Sequence, residues 1–356
     1  MKILKISLVV LLIMAFASLP VHAEAEYEMV IGHHFPVDLE NNEVHPALIR
    51  FSELVDLYTD GNVNVEVHGG ATLGTEVEVT EEAQHGVAVQ SSVLSSGAMS
   101  SFYEPYQIMT TPFLFPDYPT AWGFFDSDWF ADFMDDMRQE TGLRYLGTFD
   151  DGGGFVAFTN EERLIRTPED MEGLIIRVEE NPAHIAIIEG MGAEAVPIEW
   201  GEVPTALETG VADGQFNAPG LNAAMEFWEQ TDYTTWSKHI FNTLTWVVND
   251  DWFTDLPEEY QDGILRASRE AVEVSRGVST QLTLRGWEES VERFEDAYDL
   301  SPEEQEAFKE QARPVFEEWI IEDFGIDEDL LYDMWETVDR IEEELQEEYR
   351  RKYGRQ

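Results

Sequence analysis

Hydrophobic and polar positions alternate along the first third of the chain in blocks that change period. YEMVIGHHF, residues 27 to 35, places Val30 and Ile31 before the break at Gly32 and predicts a first strand. VHPALIRFSELVDLYTDG repeats apolar residues at helical spacing and predicts a helix from about Pro46 to Tyr58, closed by Asp60-Gly61. NVNVEVHGG alternates strictly, as a strand does. TEVEVTEEAQHG predicts a second helix, and VAVQSSVLSS a further strand with small polar residues at its end. Strands and helices in this alternating order point to a parallel sheet flanked by helices.

The same grammar returns beyond residue 166. TPEDMEG is a short helix with its own punctuation: Thr167 as N-cap, Pro168 at the first helical position, Glu169 and Asp170 in the first turn, Gly173 just past the end. LIIRV follows as a strand. NPAHIAIIEGMG then reads as a helix, AEAVPI as a short strand, EWGEVPTALETG as a helix stopped by Gly210, and VADGQFN as the next strand. From about Trp252 the chain is helical and highly charged, as one long helix or two, and the tail from about 302 to 353 closes on Arg350, Arg351 and Lys352, cations that favour a helix C-terminus.

Charge and composition narrow the partners. The chain carries 21 Lys and Arg against 73 Asp and Glu, a formal charge of -52, with 43% hydrophobic residues. A large core is therefore available. The charge excludes nucleic acid and an anionic membrane surface as partners, since both would repel it. The acid is spread along the whole chain, a coat that suits concentrated salt, where self-repulsion is screened; a halophilic source is expected. The N-terminus has the layout of a secretory signal: Lys2 and Lys5, an apolar run from Ile6 to Leu19, and Val21-His22-Ala23 as a cleavage site. An uncleaved anchor is the competing reading. The absence of Cys excludes a lipoprotein cysteine and disulfides, so an exported chain fits a Gram-negative periplasm.

The chemistry of an enzyme is hard to find. No G-x-S-x-G, H-E-x-x-H or Walker motif occurs. His33 and His34 are adjacent on a strand and point to opposite faces, so they do not predict a shared metal, and no metal or cofactor is expected. DDGGG at 150 to 154 reads as a turn between lobes. What remains is Arg177, at the end of a strand that reads as buried, where open α/β sheets bind ligands. An internal salt bridge is one account of it. The other is a carboxylate clamp, since a guanidinium grips a carboxylate bidentately. Asn217, at the end of a neighbouring strand, offers an amide donor to the same group, and Trp200 a flat apolar wall or ordinary helix packing.

Residues 166 to 220 also carry a resemblance. RTPEDMEGLIIRVEENP, then MGAEAVPIEWGEVPTALETGVADGQFN, resembles the core signature of the DctP-type solute-binding subunit of TRAP transporters. TPFLF at 111 to 115, the helix, strand and L-G turn of 45 to 74, and KHIFNTLTWVVNDDWFTDLPEEYQ agree with it, so that the match spans roughly 27 to 285. The resemblance implies an α/β, two-lobed periplasmic binding protein, each lobe a sheet flanked by helices, with long C-terminal helices bracing both. Residues 1–23 would be the signal peptide. Lobe I would take 24–152 and be completed by about 242–275; lobe II would take 153–241 and be completed by about 276–310; 311–356 would be a helical tail. Hinge crossovers are expected near 150 to 153 and 240 to 245. The implied function is capture of a small organic acid and its delivery to TRAP permease subunits by a monomer; an exported acidic enzyme acting on a small carboxylate is the alternative. Arg177 would hold the carboxylate, Asn217 assist and Trp200 line the pocket, with His34 and Ser95 at the rim of the cleft. Two departures stand out. Phe155 occupies the position where some members carry a second arginine, and Phe216 replaces the glutamate of D-G-Q-E-N-P. One arginine among aromatic residues points to a monocarboxylate with an apolar or ring-shaped remainder.

Overall fold

The structure, a computed structural model, describes residues 25–354. The signal-peptide reading of 1–23 lies outside the described residues. The chain runs β1 (Tyr27–Gly32), α1 (Val44–Tyr58), β2 (Val63–His68), α2 (Glu76–His85), β3 (Ser91–Ser95) and α3 (Ser96–Phe102), then α4 (Tyr118–Phe125) and α5 (Asp128–Thr141). Next come β4 (Leu143–Phe155), β5 (Ala157–Asn160), β6 (Ile175–Val178), α6 (Pro182–Gly190), β7 (Glu194–Pro197), α7 (Val203–Glu208), β8 (Gly214–Asn217) and α8 (Pro219–Ala224). The last part holds β9 (Tyr233–Trp236), β10 (Phe241–Asn249), α9 (Asp250–Asp255), α10 (Glu258–Arg293), β11 (Asp296–Asp299), α11 (Pro302–Glu318) and α12 (Glu328–Tyr353).

Two sheets result, one of order β2-β1-β3-β10-β4 and one of order β11-β9-β5-β8-β6-β7. Both are mixed, which corrects the expectation of a parallel sheet. β1 pairs parallel with β2 and β3 through the helical crossovers read from the sequence. β10, however, returns from the other sheet and pairs antiparallel with β3 and β4, while β5 enters the second sheet antiparallel to β8 and β9. A chain that crosses between two sheets and comes back delivers its returning strand in the opposite sense.

The two crossings lie side by side. β4 leads into β5 at Val156, and β9 leads into β10 over 237–240; Val156 N–H donates to Ile240 O (3.2 Å) and Lys238 N–H to Val156 O (2.9 Å). Phe155, Phe241 and Tyr118 pack edge to face across them, with centroids 4.8 to 5.7 Å apart. Just before the crossing β4 bulges. Phe155 pairs with Phe241 but Asp150 pairs with Thr243, so 151–154 face Asn242 alone. Gly152, Gly153 and Gly154 have φ of 60°, 120° and 76°, backbone that side-chain-bearing residues rarely adopt, and a Cβ on Gly153 would run into Thr283.

The charged stretch after residue 257 is one helix of 36 residues. Its buried face is mostly small (Gly263, Ala267, Ala271, Ser275, Ser279, Gly286), which lets it lie close against α1, β4 and α8 and so touch both sheets' layers. The end of the chain is also part of the packing. α11 lies on α6 and α12 on α4, and Phe316, Ile320, Met334 and Val338 are buried in the larger core together with Phe124 and Ile187.

Candidate functional site

Between the sheets, at the C-terminal ends of β1, β3, β6 and β8, lies a cavity of about 670 Å³, a size ordinary for a small-molecule site. Arg177, Asn217, Trp200, His34 and Ser95, picked out by the sequence, all line it.

Arg177 ends in the cleft because β6 runs between β7 and β8, with Ile176 packed in the core and Arg177 on the alternate face. It is 3% exposed. Its Nε donates to Ile198 O at 2.9 Å, which fixes the plane of the guanidinium. It makes no ion pair with the described residues, so the salt-bridge account does not hold within them. Burial pushes its pKa down, and the charges of Glu179, Glu199 and Glu180 offset part of that. Trp200 lies with its ring centroid 5.8 Å from the guanidinium carbon. It sits in a single 3-10 turn, Trp200–Glu202, whose N-terminus is capped by Glu199. Asn217 is 3% exposed and donates one amide hydrogen to Gln215 Oε1 (2.5 Å). The second amide hydrogen and the carbonyl are left to the cleft.

The opposite wall comes from the first sheet. Ser95 caps α3 by accepting from Ala98 N–H (3.2 Å), and donates through its own N–H and Oγ to Glu76 (2.7 and 3.0 Å). His34 Nδ1 stands 3.6 Å from the same carboxylate. Ser95 therefore orients Glu76 as well as edging the cavity.

Phe155 and Phe216, which their places in the family pattern would put in the substrate site, do not line it, and both placements are corrected. Phe155 is in the aromatic packing of the crossing. Phe216 lies on the face of β8 away from Gln215 and Asn217, against Phe158, His184 and His239 with centroids 4.9 to 6.1 Å away. The two-residue period of a strand dictates this, because the residue between Gln215 and Asn217 must point the other way.

The residues missed by sequence reasoning are acids. Glu43 is 1% exposed, at the start of α1, and accepts from Gly152 N–H (2.8 Å). Burial, reinforced by Asp150, pushes its pKa up to about 7 against the Gly152 bond. Asp151 is 7% exposed, and its Oδ1 has no hydrogen-bond partner among the described residues. Burial and then the charges of Glu43, Glu179 and Glu76 raise its pKa well above the usual carboxylate range. Glu179 reaches from β6's end to the other wall: a Cβ on Gly97 would lie 2.6 Å from its Oε2. Acids are so common in this chain that nothing in the pattern separates these from surface ones. The one available signal is Asp150-Asp151 inside the otherwise apolar and glycine-rich LRYLGTFDDGGGF. Among the described residues no group of three or more His, Asp and Glu could hold a metal, and no helix is long and apolar enough to cross a membrane.

Two sheets joined by paired crossings, with a ligand-sized cleft at the strand ends between them, define a two-lobed solute-binding protein. The comparisons give the family. Residues 37–323 match the family described as "DctP: Bacterial extracellular solute-binding protein, family 7", and the chain belongs to it. It is 30% identical to the ectoine-binding periplasmic protein TeaA of Halomonas elongata over 76% of this chain and 80% of that one. It is also similar to a crystal structure of a TRAP periplasmic solute-binding protein from Ochrobactrum anthropi with its C-terminus bound in the ligand-binding pocket (TM-score 0.82, 25% identity, 90% of this chain and 97% of that chain). A third likeness is to the sugar-acid-binding protein DctPAm of Advenella mimigardefordensis in complex with galactonate (TM-score 0.80, 23% identity, 90% and 100%). The family is one of transporter binding proteins rather than enzymes.

Proposed function

We propose that the chain, exported to the periplasm of a halophile by a cleaved signal at 1–23, captures a small monocarboxylate and delivers it unchanged to TRAP permease subunits, working as a monomer. One observation carries this reading. Arg177 is a buried guanidinium fixed at Nε, lining a ligand-sized cavity, with no ion-pair partner among the described residues. Its two terminal nitrogens offer the fork that a carboxylate fills. Asn217 adds a donor and Trp200 a wall. Galactonate and ectoine, the compounds in the names of the two relatives above, both carry a carboxylate. The acidic coat supports a salty compartment, and the family's named periplasmic members support export.

The lobes move on the crossings at Val156 and 237–240, a few residues from the expected 150 to 153 and 240 to 245, with 25–155 and about 241–275 on one side and 157–236 and about 276–310 on the other. Calorimetry on wild type, Arg177→Lys and Arg177→Ala tests the reading. Removing one side of a buried, hydrogen-bonded charge pair costs about 2–5 kcal/mol, so Arg177→Ala loses most affinity. Arg177→Lys loses the bidentate geometry and the Ile198 bond and falls between. Scattering of the same samples shows contraction with solute. Unchanged affinity in Arg177→Ala sinks the clamp.

A further inference from the structure

The cavity is lined by one arginine and by eight acidic side chains. A site for a plain anion should not be built this way, since each nearby carboxylate opposes the ligand that Arg177 attracts. Three of these acids are held by neighbouring groups that donate to them. Glu76 is held by Ser95 and faced by His34. Glu43 is bonded to the Gly152 N–H and tethers α1 to the bulge. Asp38 bonds the backbone and side chain of its own loop. Asp151 and Glu179 are different. Among the described residues Asp151 Oδ1 and Glu179 Oε2 meet no donor, and Asp151, which lines the cavity, is more than nine-tenths buried. The charges that act on it are those of Glu43, Glu179 and Glu76, all of its own sign. The bulge of 151–154 is what places it there, and that bulge needs three consecutive glycines in left-handed backbone. A costly backbone feature thus presents to the solute's cavity a buried carboxyl group without a partner among the described residues, and a cation placed beside it would hold it ionised.

Resting on the carboxylate reading above, we propose that the solute is a zwitterion, its carboxylate on Arg177 and a protonated nitrogen on Asp151, with Glu179 completing the cation's side. The nitrogen supplies the donor that Asp151 lacks. A net-neutral solute also enters an acid-lined cleft without the repulsion an anion meets. The class is an amino or cyclic amidinium carboxylate whose nitrogen bears at least one N–H; a quaternary betaine lacks the donor. Trp200, Leu221 and Leu282 leave apolar wall for a small ring or aliphatic remainder.

The test uses probes in pairs that differ by the nitrogen alone: L-proline against cyclopentanecarboxylate and pipecolate against cyclohexanecarboxylate, with ectoine and galactonate beside them. Thermal shift finds the binders and calorimetry ranks them on wild type, Asp151→Asn, Glu179→Gln and Arg177→Ala. The expected result is that the tightest probe bears a protonated nitrogen and exceeds its nitrogen-free partner by about tenfold or more, the value of a hydrogen bond to a charged group. Asp151→Asn erases that preference while leaving the nitrogen-free acid bound as well as before or better. Glu179→Gln narrows it, and serves alone if the first variant does not fold. The proposal is overturned if nitrogen-free acids or galactonate bind as tightly as the zwitterions, or if Asp151→Asn leaves the preference intact. Arg177→Ala separates the two readings. Full binding in that variant defeats the carboxylate clamp, whereas lost binding with no nitrogen preference in wild type defeats only the zwitterion.

Discussion

The two walls of the cleft are built by different devices. The second-sheet wall is made of strand ends: Arg177 closes β6, Asn217 closes β8, and Trp200 stands in the turn after β7. Its side chains are placed by the two-residue alternation of short, buried strands. The first-sheet wall is made of caps and a bulge. Glu43 lies just before α1, Glu76 opens α2 and is held by the residue that caps α3, and Asp151 rides on a glycine bulge. The second wall carries the one arginine together with four acids, Glu179, Glu180, Glu199 and Glu226, and the first wall carries four acids, Asp38, Glu43, Glu76 and Asp151, and no arginine. A solute with a carboxylate for Arg177 and a cation for Asp151 and Glu179 answers both.

The alternation that builds the second wall gives the largest expected effect. Phe216 is 3% exposed between Phe158, His184 and His239, while its neighbours Gln215 and Asn217 face the other way. Phe216→Ala should cost about 3–5 kcal/mol of stability, as Phe truncations in cores do, and leave solute affinity near wild type. Denaturant unfolding and calorimetry on one preparation decide it. Lost affinity at intact stability would move Phe216 into the site and undo the division between the walls.

This difference also explains what could be read from the sequence. Capped turns, such as the one that Thr167 opens with Asp170 answering it, and strands bounded by glycine, such as β2 and β6, are local patterns and were legible. So was Arg177, because a lone cation at a strand end in so acidic a chain is conspicuous. The mixed character of the sheets was not, since it depends on where β10 goes after the crossing. Glu43, Glu76 and Asp151 were not either. A carboxylate becomes special here through burial and through neighbours 19 or more residues away, and among 73 acids neither property leaves a local mark. Phe155 and Phe216 were misplaced by following a motif position by position where strand alternation already gave the direction of one of them.

Glu43 carries the next effect, of about 3 kcal/mol at most. Its carboxyl titrates at about 7 in the fold against an ordinary 4.5 in the unfolded chain, because it is buried beside Asp150. A raised carboxylate binds more protons folded than unfolded, so its contribution to stability falls as pH rises from about 4.5 to about 7 and is flat above that. Glu43→Gln keeps an acceptor for Gly152 N–H and removes the titration. The difference in melting temperature between variant and wild type should therefore grow in the variant's favour from pH 5 to pH 8. A difference that stays constant over that range would mean that Glu43 is solvated and that the first wall is not as dry as its burial indicates.

The smallest effect concerns salt, and it separates a zwitterion from an anion without any mutation. The formal charge of -52 surrounds the cleft with a negative field. Raising salt from 0.1 M to 1 M shortens the Debye length from about 10 Å to about 3 Å. Self-repulsion fades, so the melting temperature should rise whatever the solute is. Association is more selective. An anion is repelled on approach, and its association rate should climb several-fold across that range as the repulsion is screened. A zwitterion has no net charge for the field to act on, and its rate should change by less than about twofold. The dissociation rate is set by contacts inside the cleft, at Arg177 and Asp151, which salt reaches poorly, so it should move little in either case. Stopped-flow binding at four or five salt concentrations therefore reads the solute's net charge from the slope of one rate constant. A flat slope with a rising melting temperature is the outcome expected from a site that holds a carboxylate on Arg177 and a cation on Asp151. A steep rise would return the site to a single arginine holding a plain anion, with the first wall's acids acting on the fold alone.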